Sequence, residues 1–211
     1  MDAQKLQLKI FVTPASAGAV ELEAFIPVFH RWIKDRLLPE LTIDVANYAH
    51  VPEGPGVVLI GHGSDYFMDQ GGGRLGLLHN RKRAGAPPEA RLVDLARRTL
   101  HAAVLLERDP AFGGRLRFAS DELLFRINDR LAAPDTAATF AAVKPELEAL
   151  GRQLYGEGAF TLERGGGAAA ADGQTTRQLF AVRLLSTAGV SLASLLERAG
   201  GPPGADASLV A

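Results

Sequence analysis

The chain has 211 residues, of which 47% are hydrophobic and 22% are charged, and its formal net charge is −1. This composition is ordinary for a globular protein and implies no general attraction to nucleic acids or membranes. The chain contains no cysteine, which excludes disulfides, thiolate nucleophiles and cysteine-ligated zinc.

The beginning of the chain does not have the pattern of a secretory signal. Its first residues carry an acid at Asp2 and alternating polarity instead of a basic start followed by an apolar run. No apolar run approaches the roughly 20 residues that a membrane-spanning helix needs. We therefore expect a soluble, cytoplasmic protein.

The first two elements are a strand and a helix. Residues 6–12 alternate with period two, which predicts a strand. An apolar stripe in steps of three and four runs from Leu22 to Leu37 and predicts a helix. Pro27 belongs in the first turn of such a helix, so the regular helix is expected to begin near Ala24.

Three further strands are predicted before residue 84. Residues 41–51 form the first, and residues 57–62, which are continuously apolar, form the second, with both faces covered. Residues 74–83 form the third. Residues 63–73 between them are expected to be a loop that ends in a glycine-rich turn.

A long amphipathic helix is predicted next, at 89–107. A strand follows at 122–128. Asp135 or Thr136 then has the chemistry of an N-cap for another helix, whose apolar stripe ends at Leu154.

The last predicted elements are a hairpin and a short helix. Residues 158–164 and 177–186 are expected to pair around a loop rich in glycine and alanine. Residues 191–200 are expected to form a helix capped by Ser191. The tail, residues 199–211, is expected to be disordered.

Strand–helix–strand–strand therefore occurs twice, in halves of about 6–83 and 116–198. The predicted fold class is α+β, with a mixed or mostly antiparallel sheet covered by helices and two split β-α-β-β units side by side. An internal duplication would explain the repeat. Residues 1–198 are expected to form a single globular domain.

Polar side chains that could take part in catalysis or ligand binding cluster between His50 and Arg83. Residues 57–65 carry an apolar run into Gly-His-Gly-Ser-Asp, which is how a strand often delivers a functional histidine to the edge of a sheet. His62 could act as a base that activates Ser64 or a water, with Asp65 orienting the imidazole. It could also be a metal ligand with Asp65 or Asp69. It could equally end the strand and do no chemistry.

Anion binding is the third functional reading of this segment. Arg74, Arg81, Lys82 and Arg83 follow one another without an intervening acid, and glycines 71–73 expose backbone N–H groups. A solvated basic surface at the end of a strand is the structural alternative.

Residues 59–65 also resemble the strand ending in His-Gly-Ser of the small cobalt and sirohydrochlorin chelatases, where the histidine serves the metal. The resemblance implies a metal–tetrapyrrole function. It covers only these seven residues, and in that family the motif ends the first strand and leads toward a helix. Here it leads into a glycine-rich turn, so no family is assigned.

Residues 125–130, Phe-Arg-Ile-Asn-Asp-Arg, place Asn128 and Asp129 after a strand with arginines on either side. A turn with local hydrogen bonds is the simpler interpretation. A contribution to a binding site is the other.

The function favoured by the sequence is a non-catalytic binding or scaffold protein whose loop and hairpin at 62–82 recognise an anionic small molecule or an acidic protein partner. The ligand-binding residues would be His62, Tyr66, Arg74, His79, Arg81 and Lys82. The alternative is a hydrolase or metal-dependent enzyme with His62 and Asp65 as its catalytic pair. The sequence identifies no cofactor, and neither nucleic acid nor membrane is expected as a partner.

Overall fold

The computed structural model of the protein describes residues 5–52, 54–83, 86–87, 90–165 and 179–204. These residues form one eight-stranded antiparallel sheet with α-helices, an α+β fold as the sequence predicted. The expected loop of the last hairpin, residues 166–176, and residues 205–211 of the expected tail lie outside the described residues.

The strands lie in the order β2-β3-β4-β5-β1-β6-β8-β7 across the sheet. Their bounds are β1 Leu6–Val12, β2 Thr42–Tyr48, β3 Gly56–Gly61, β4 Ser64–Asp69, β5 Gly76–Arg81, β6 Phe118–Ile127, β7 Phe160–Arg164 and β8 Phe180–Ser186. The first strands of the two halves, β1 and β6, pair with each other at the centre.

The helices are α1 Pro14–Ala17, α2 Phe25–Asp35, α3 Arg91–Arg108, α4 Ala137–Tyr155 and α5 Leu192–Arg198. Pro27 lies in the first turn of α2, where a missing N–H costs nothing, as expected. Thr136 and Ser191 cap α4 and α5 by accepting backbone N–H bonds from Thr139 and Ser194.

The prediction that residues 63–73 form a loop was wrong, because residues 64–69 form strand β4. Ser64, Tyr66 and Met68 are buried and alternate with residues that face the other way, so the segment has the period of a strand. β4 pairs with β3 on one side and β5 on the other.

The first half therefore contains two strands more than the second. In the second half β6 pairs directly with β8 and then β7, whereas β5, β4 and β3 separate β1 from β2. The two strand–helix–strand units lie side by side as predicted, but a duplication is not confirmed.

Helices and strands share one large core on a single face of the sheet. Apolar side chains of α2, α3, α4 and α5 join the alternate residues of the strands that point toward them, such as Leu8, Leu59 and Phe125. On the opposite face the described core is a small cluster of strand residues alone: Phe11, Leu124 and Ala181. We call this second face, on which no described helix packs, the open face.

The last described residues, 199–204, contact the helix layer. Arg97 of α3 donates hydrogen bonds to the carbonyls of Gly201 at 2.7 Å and Pro202 at 2.7 Å. Within the described residues no helix is long and apolar enough to cross a bilayer. The cytoplasmic location stays a prediction.

Gly151→Ala should destabilise the protein by about 1–3 kcal/mol, because a Cβ at this buried position of α4 would lie 2.3 Å from Phe160 Cε2. Helix propensity alone would favour alanine by about 1 kcal/mol, so the sign of the change is diagnostic. Urea unfolding measures it. The control is Gly18→Ala, where φ is −90° and no atom lies within 4 Å. Equal stabilities of the two variants would contradict this packing.

Candidate functional site

His62 lies exposed in the tight turn between β3 and β4. Its Nε2 is 2.7 Å from Arg83 Nη1, and its backbone N–H bonds to the carbonyl of Leu41 at 2.8 Å. The carboxylate of Asp65 is occupied elsewhere, since it accepts from Lys82 Nζ at 2.7 Å. No described hydrogen bond joins His62 to Asp65.

Tyr66 and His79 are fully buried on the helix-covered face. Their rings stack with centroids 4.5 Å apart and 4° between the planes, as expected for directly paired residues of β4 and β5. The Tyr66 hydroxyl donates to Glu40 Oε1 at 2.6 Å, and burial, together with this carboxylate, raises the Tyr66 pKa well above its ordinary value. Neither ring can line an external surface.

The neutral tautomer of His79 follows from its neighbours. Thr99 donates its hydroxyl proton to the carbonyl of Leu95 at 2.7 Å, so it accepts from His79 Nδ1 at 3.1 Å. His79 Nε2 is then a bare acceptor without a described partner. Burial, and then the charges of Arg81 and Arg98, lower the His79 pKa to about 3.

Arg74 and Arg81 do not share a face, contrary to the expectation of one basic surface. Their positions differ by seven, and in an extended chain an odd difference puts the two side chains on opposite faces. The Arg81 side chain is 5% exposed and forms an ion pair with Asp94 of α3, whereas the Arg74 side chain is 48% exposed on the open face. Because β4 is a strand, His62 lies near Arg81 and Lys82, at the end of β5 away from Arg74.

The open face carries a buried ammonium group. The Lys9 side chain is 1% exposed, and its Nζ donates to Asp69 Oδ2 at 2.6 Å and to the carbonyls of Arg74 at 2.7 Å and Gly71 at 3.2 Å. Burial lowers the Lys9 pKa, while the Asp69 carboxylate opposes this shift. Lys9 thus joins β1 to β4 and to the glycine-rich turn before β5.

A second ion network lies beside Lys9. The Arg74 guanidinium packs 3.8 Å from the centre of the Phe11 ring and donates to both carboxylate oxygens of Glu122 at 2.9 Å. Arg183 donates to the same carboxylate at 2.9 Å and to Glu163 at 3.3 Å. Burial alone would raise the Glu122 pKa, but the arginine hydrogen bonds outweigh it and the pKa is lowered.

Arg126 is different from the other cations of the open face. It is half-buried, none of its nitrogens makes a described hydrogen bond, and its Nε is shielded from solvent without a partner. Burial lowers the pKa of its guanidinium, and the charge of Asp69 opposes that shift. The Asp69 carboxylate is already bound to Lys9.

Gln7 pairs directly with Arg126 across β1 and β6 and is only 7% exposed. Its Nε2 donates to Asn80 Oδ1 at 3.1 Å, whereas its Oε1 has no described partner. An unpaired donor and an unpaired acceptor therefore occupy neighbouring positions at the centre of the sheet.

The prediction of a strand at residues 6–12 assigned no role to Gln7 or Lys9. Residues 125–130, for which the sequence offered a binding-site interpretation, include Arg126. The turn there has the expected local bond, since the backbone N–H of Ala132 donates to Asp129 Oδ1 at 3.0 Å.

Among the described residues, no group of three or more His, Cys, Asp or Glu side chains is placed to hold a metal ion. The arrangement on the open face can pair with anions and hydrogen-bond donors.

The geometry defines an α+β protein with one helix-covered face and one open, ion-paired face. No protein family, no curated protein and no solved structure matches the chain.

The stability of the protein should fall as the pH falls from about 7 toward 4, partly because of His79. Its folded pKa of about 3 lies below the unfolded value of about 6.5, so the unfolded state binds more protons in that interval. His79 alone contributes up to about 1.4 kcal/mol per pH unit to the slope of the free energy of unfolding against pH.

The measurement is urea unfolding at several pH values, for the wild type, His79→Phe and the exposed control His30→Gln. The decline should be shallower in His79→Phe and unchanged in His30→Gln. Equal slopes in the wild type and His79→Phe would show that His79 is not held neutral.

Proposed function

We propose that this chain is a non-catalytic binding protein that recognises an anionic small molecule or an acidic protein partner on the open face of its sheet. The observation that carries this proposal is the Nε of Arg126, which is shielded from solvent and has no hydrogen-bond partner among the described residues. An unpaired buried polar group costs free energy, and a bound anion would offset that cost.

The neighbouring charges support an anionic ligand. Lys9, Arg74 and Arg183 are each bound to carboxylates, and Arg126 makes no described hydrogen bond to any of these acids. Lys5 lies exposed just before β1, and its carbonyl accepts the backbone N–H of Asn128 at 2.8 Å.

A non-catalytic binding protein is also the function that the sequence favoured, but the residues of the binding surface differ from those expected. Tyr66, His79 and Arg81 act within the fold, beneath α3. Lys82 is bound to Asp65, and His62 contacts Arg83. These polar side chains around the turn between β3 and β4 therefore already have partners within the protein. Arg74 belongs to the open face and orients Glu122.

The test is a thermal-shift titration at low ionic strength with citrate, inorganic phosphate and poly-L-glutamate. A ligand that binds only the folded state raises its Tm. At least one of these anions should raise the Tm of the wild type, and Arg126→Gln should weaken its binding about tenfold or more.

The matched control is Arg117→Gln, an exposed arginine 3.8 Å from Glu107. It should bind as the wild type does. The proposal fails if no anion raises the Tm, or if Arg126→Gln and Arg117→Gln respond alike.

A further inference from the structure

We infer that the ligand of the open face is an acidic peptide segment, whose carboxylate pairs with Arg126 while a backbone N–H donates to Gln7 Oε1. This inference rests on the proposed function and specifies the chemistry of its ligand. It follows from two unpartnered groups of opposite type on directly paired residues.

A bare anion would satisfy only one of these groups. Arg126 offers donors, and a carboxylate or phosphate can accept from it. Gln7 Oε1 is an acceptor, and an ionised carboxylate cannot donate to it. With both side chains placed as in the structure, a ligand that satisfies both groups carries an anionic oxygen and a hydrogen-bond donor close together.

Side chains of directly paired strand residues have Cβ atoms about 5 Å apart. An aspartate or glutamate in a peptide carries its own backbone N–H within a few bonds of the carboxylate, so it presents both groups on this scale. The Gln7 amide nitrogen is already bound to Asn80, which leaves its oxygen as the group that needs a donor.

Gln7 is only 7% exposed, so a ligand reaches its oxygen only after a rotation of neighbouring side chains, and Arg126 is the directly paired neighbour. Rotation of the Arg126 side chain breaks no described hydrogen bond, since its guanidinium makes none. The Lys9–Asp69 and Arg74–Glu122 pairs on either side can remain intact, because neither uses Gln7 or Arg126.

The face around this pair also suits a peptide better than an isolated ion. Phe67 of β4, Ile60 of β3 and Leu185 of β8 are half-buried apolar side chains with the same orientation in their strands as Arg126 in β6. They offer apolar contacts to the neighbours of the acidic residue, and the unpaired cation offers charge complementarity.

The test compares poly-L-glutamate with polyacrylate of the same number of carboxylates, since both are flexible polyanions but only the first has backbone N–H groups. Binding to the full chain is measured by titration calorimetry. The wild type should bind poly-L-glutamate about threefold to tenfold more tightly than polyacrylate. This ratio of affinities corresponds to the net free energy of about one hydrogen bond.

Two variants keep the inference falsifiable. Gln7→Met removes the acceptor at similar volume, and the preference for poly-L-glutamate should disappear. Gln7→Glu places a carboxylate opposite Arg126, so it should raise the Tm of the free protein and weaken both polymers. Circular dichroism verifies that each variant is folded.

The outcomes separate the two proposals. If polyacrylate binds as tightly as poly-L-glutamate, or if the preference survives in Gln7→Met, the peptide inference is overturned while anion binding stands. If neither polymer binds the wild type, the peptide inference is overturned, and the proposed function is overturned with it when citrate and phosphate also leave the Tm unchanged.

Discussion

The buried ammonium group of Lys9 organises the open face. It binds Asp69 on β4 and the carbonyls of Gly71 and Arg74, so it fixes the turn that leads into β5. With its backbone held there, Arg74 packs on Phe11 and binds Glu122, which also receives Arg183. A charge this deeply buried is tolerated only with such partners, because the desolvation of an ammonium group is costly.

The same arrangement leaves Arg126 without a carboxylate. Asp69 is the acid whose charge reaches it, but the hydrogen-bonding oxygen of Asp69 is committed to Lys9. An unpaired, half-buried guanidinium is unfavourable for stability, and an unsatisfied group of this kind in a native structure calls for an explanation. The proposed binding function accounts for this cost. The helix-covered face, by contrast, encloses its polar groups, as the Tyr66–Glu40 and His79–Thr99 contacts show.

Apolar periodicity predicted the α+β class, the helices and most strands, because each element covers one face of a common core. This periodicity did not predict β4. The residues Gly-His-Gly-Ser-Asp are typical of a turn, and the strand-like alternation of buried residues begins within them. Strand β4 places His62 at the end of β5 away from Arg74. The pairing of Gln7 with Arg126 could not be predicted, because no local pattern specifies which strands are neighbours across more than a hundred residues. The absence of a helix on the open face is likewise a property of the whole topology.

Amide chemical-shift mapping during titration with poly-L-glutamate tests the central claim most directly, together with the side-chain Nε–H signal of Arg126. The account predicts that the Arg126 signal shifts and that the amide changes concentrate on β5, β1, β6 and β8, around Gln7 and Ala181. Changes that instead concentrate at the turn around His62, or on α3 and α4, with the Arg126 signal unmoved, would contradict it.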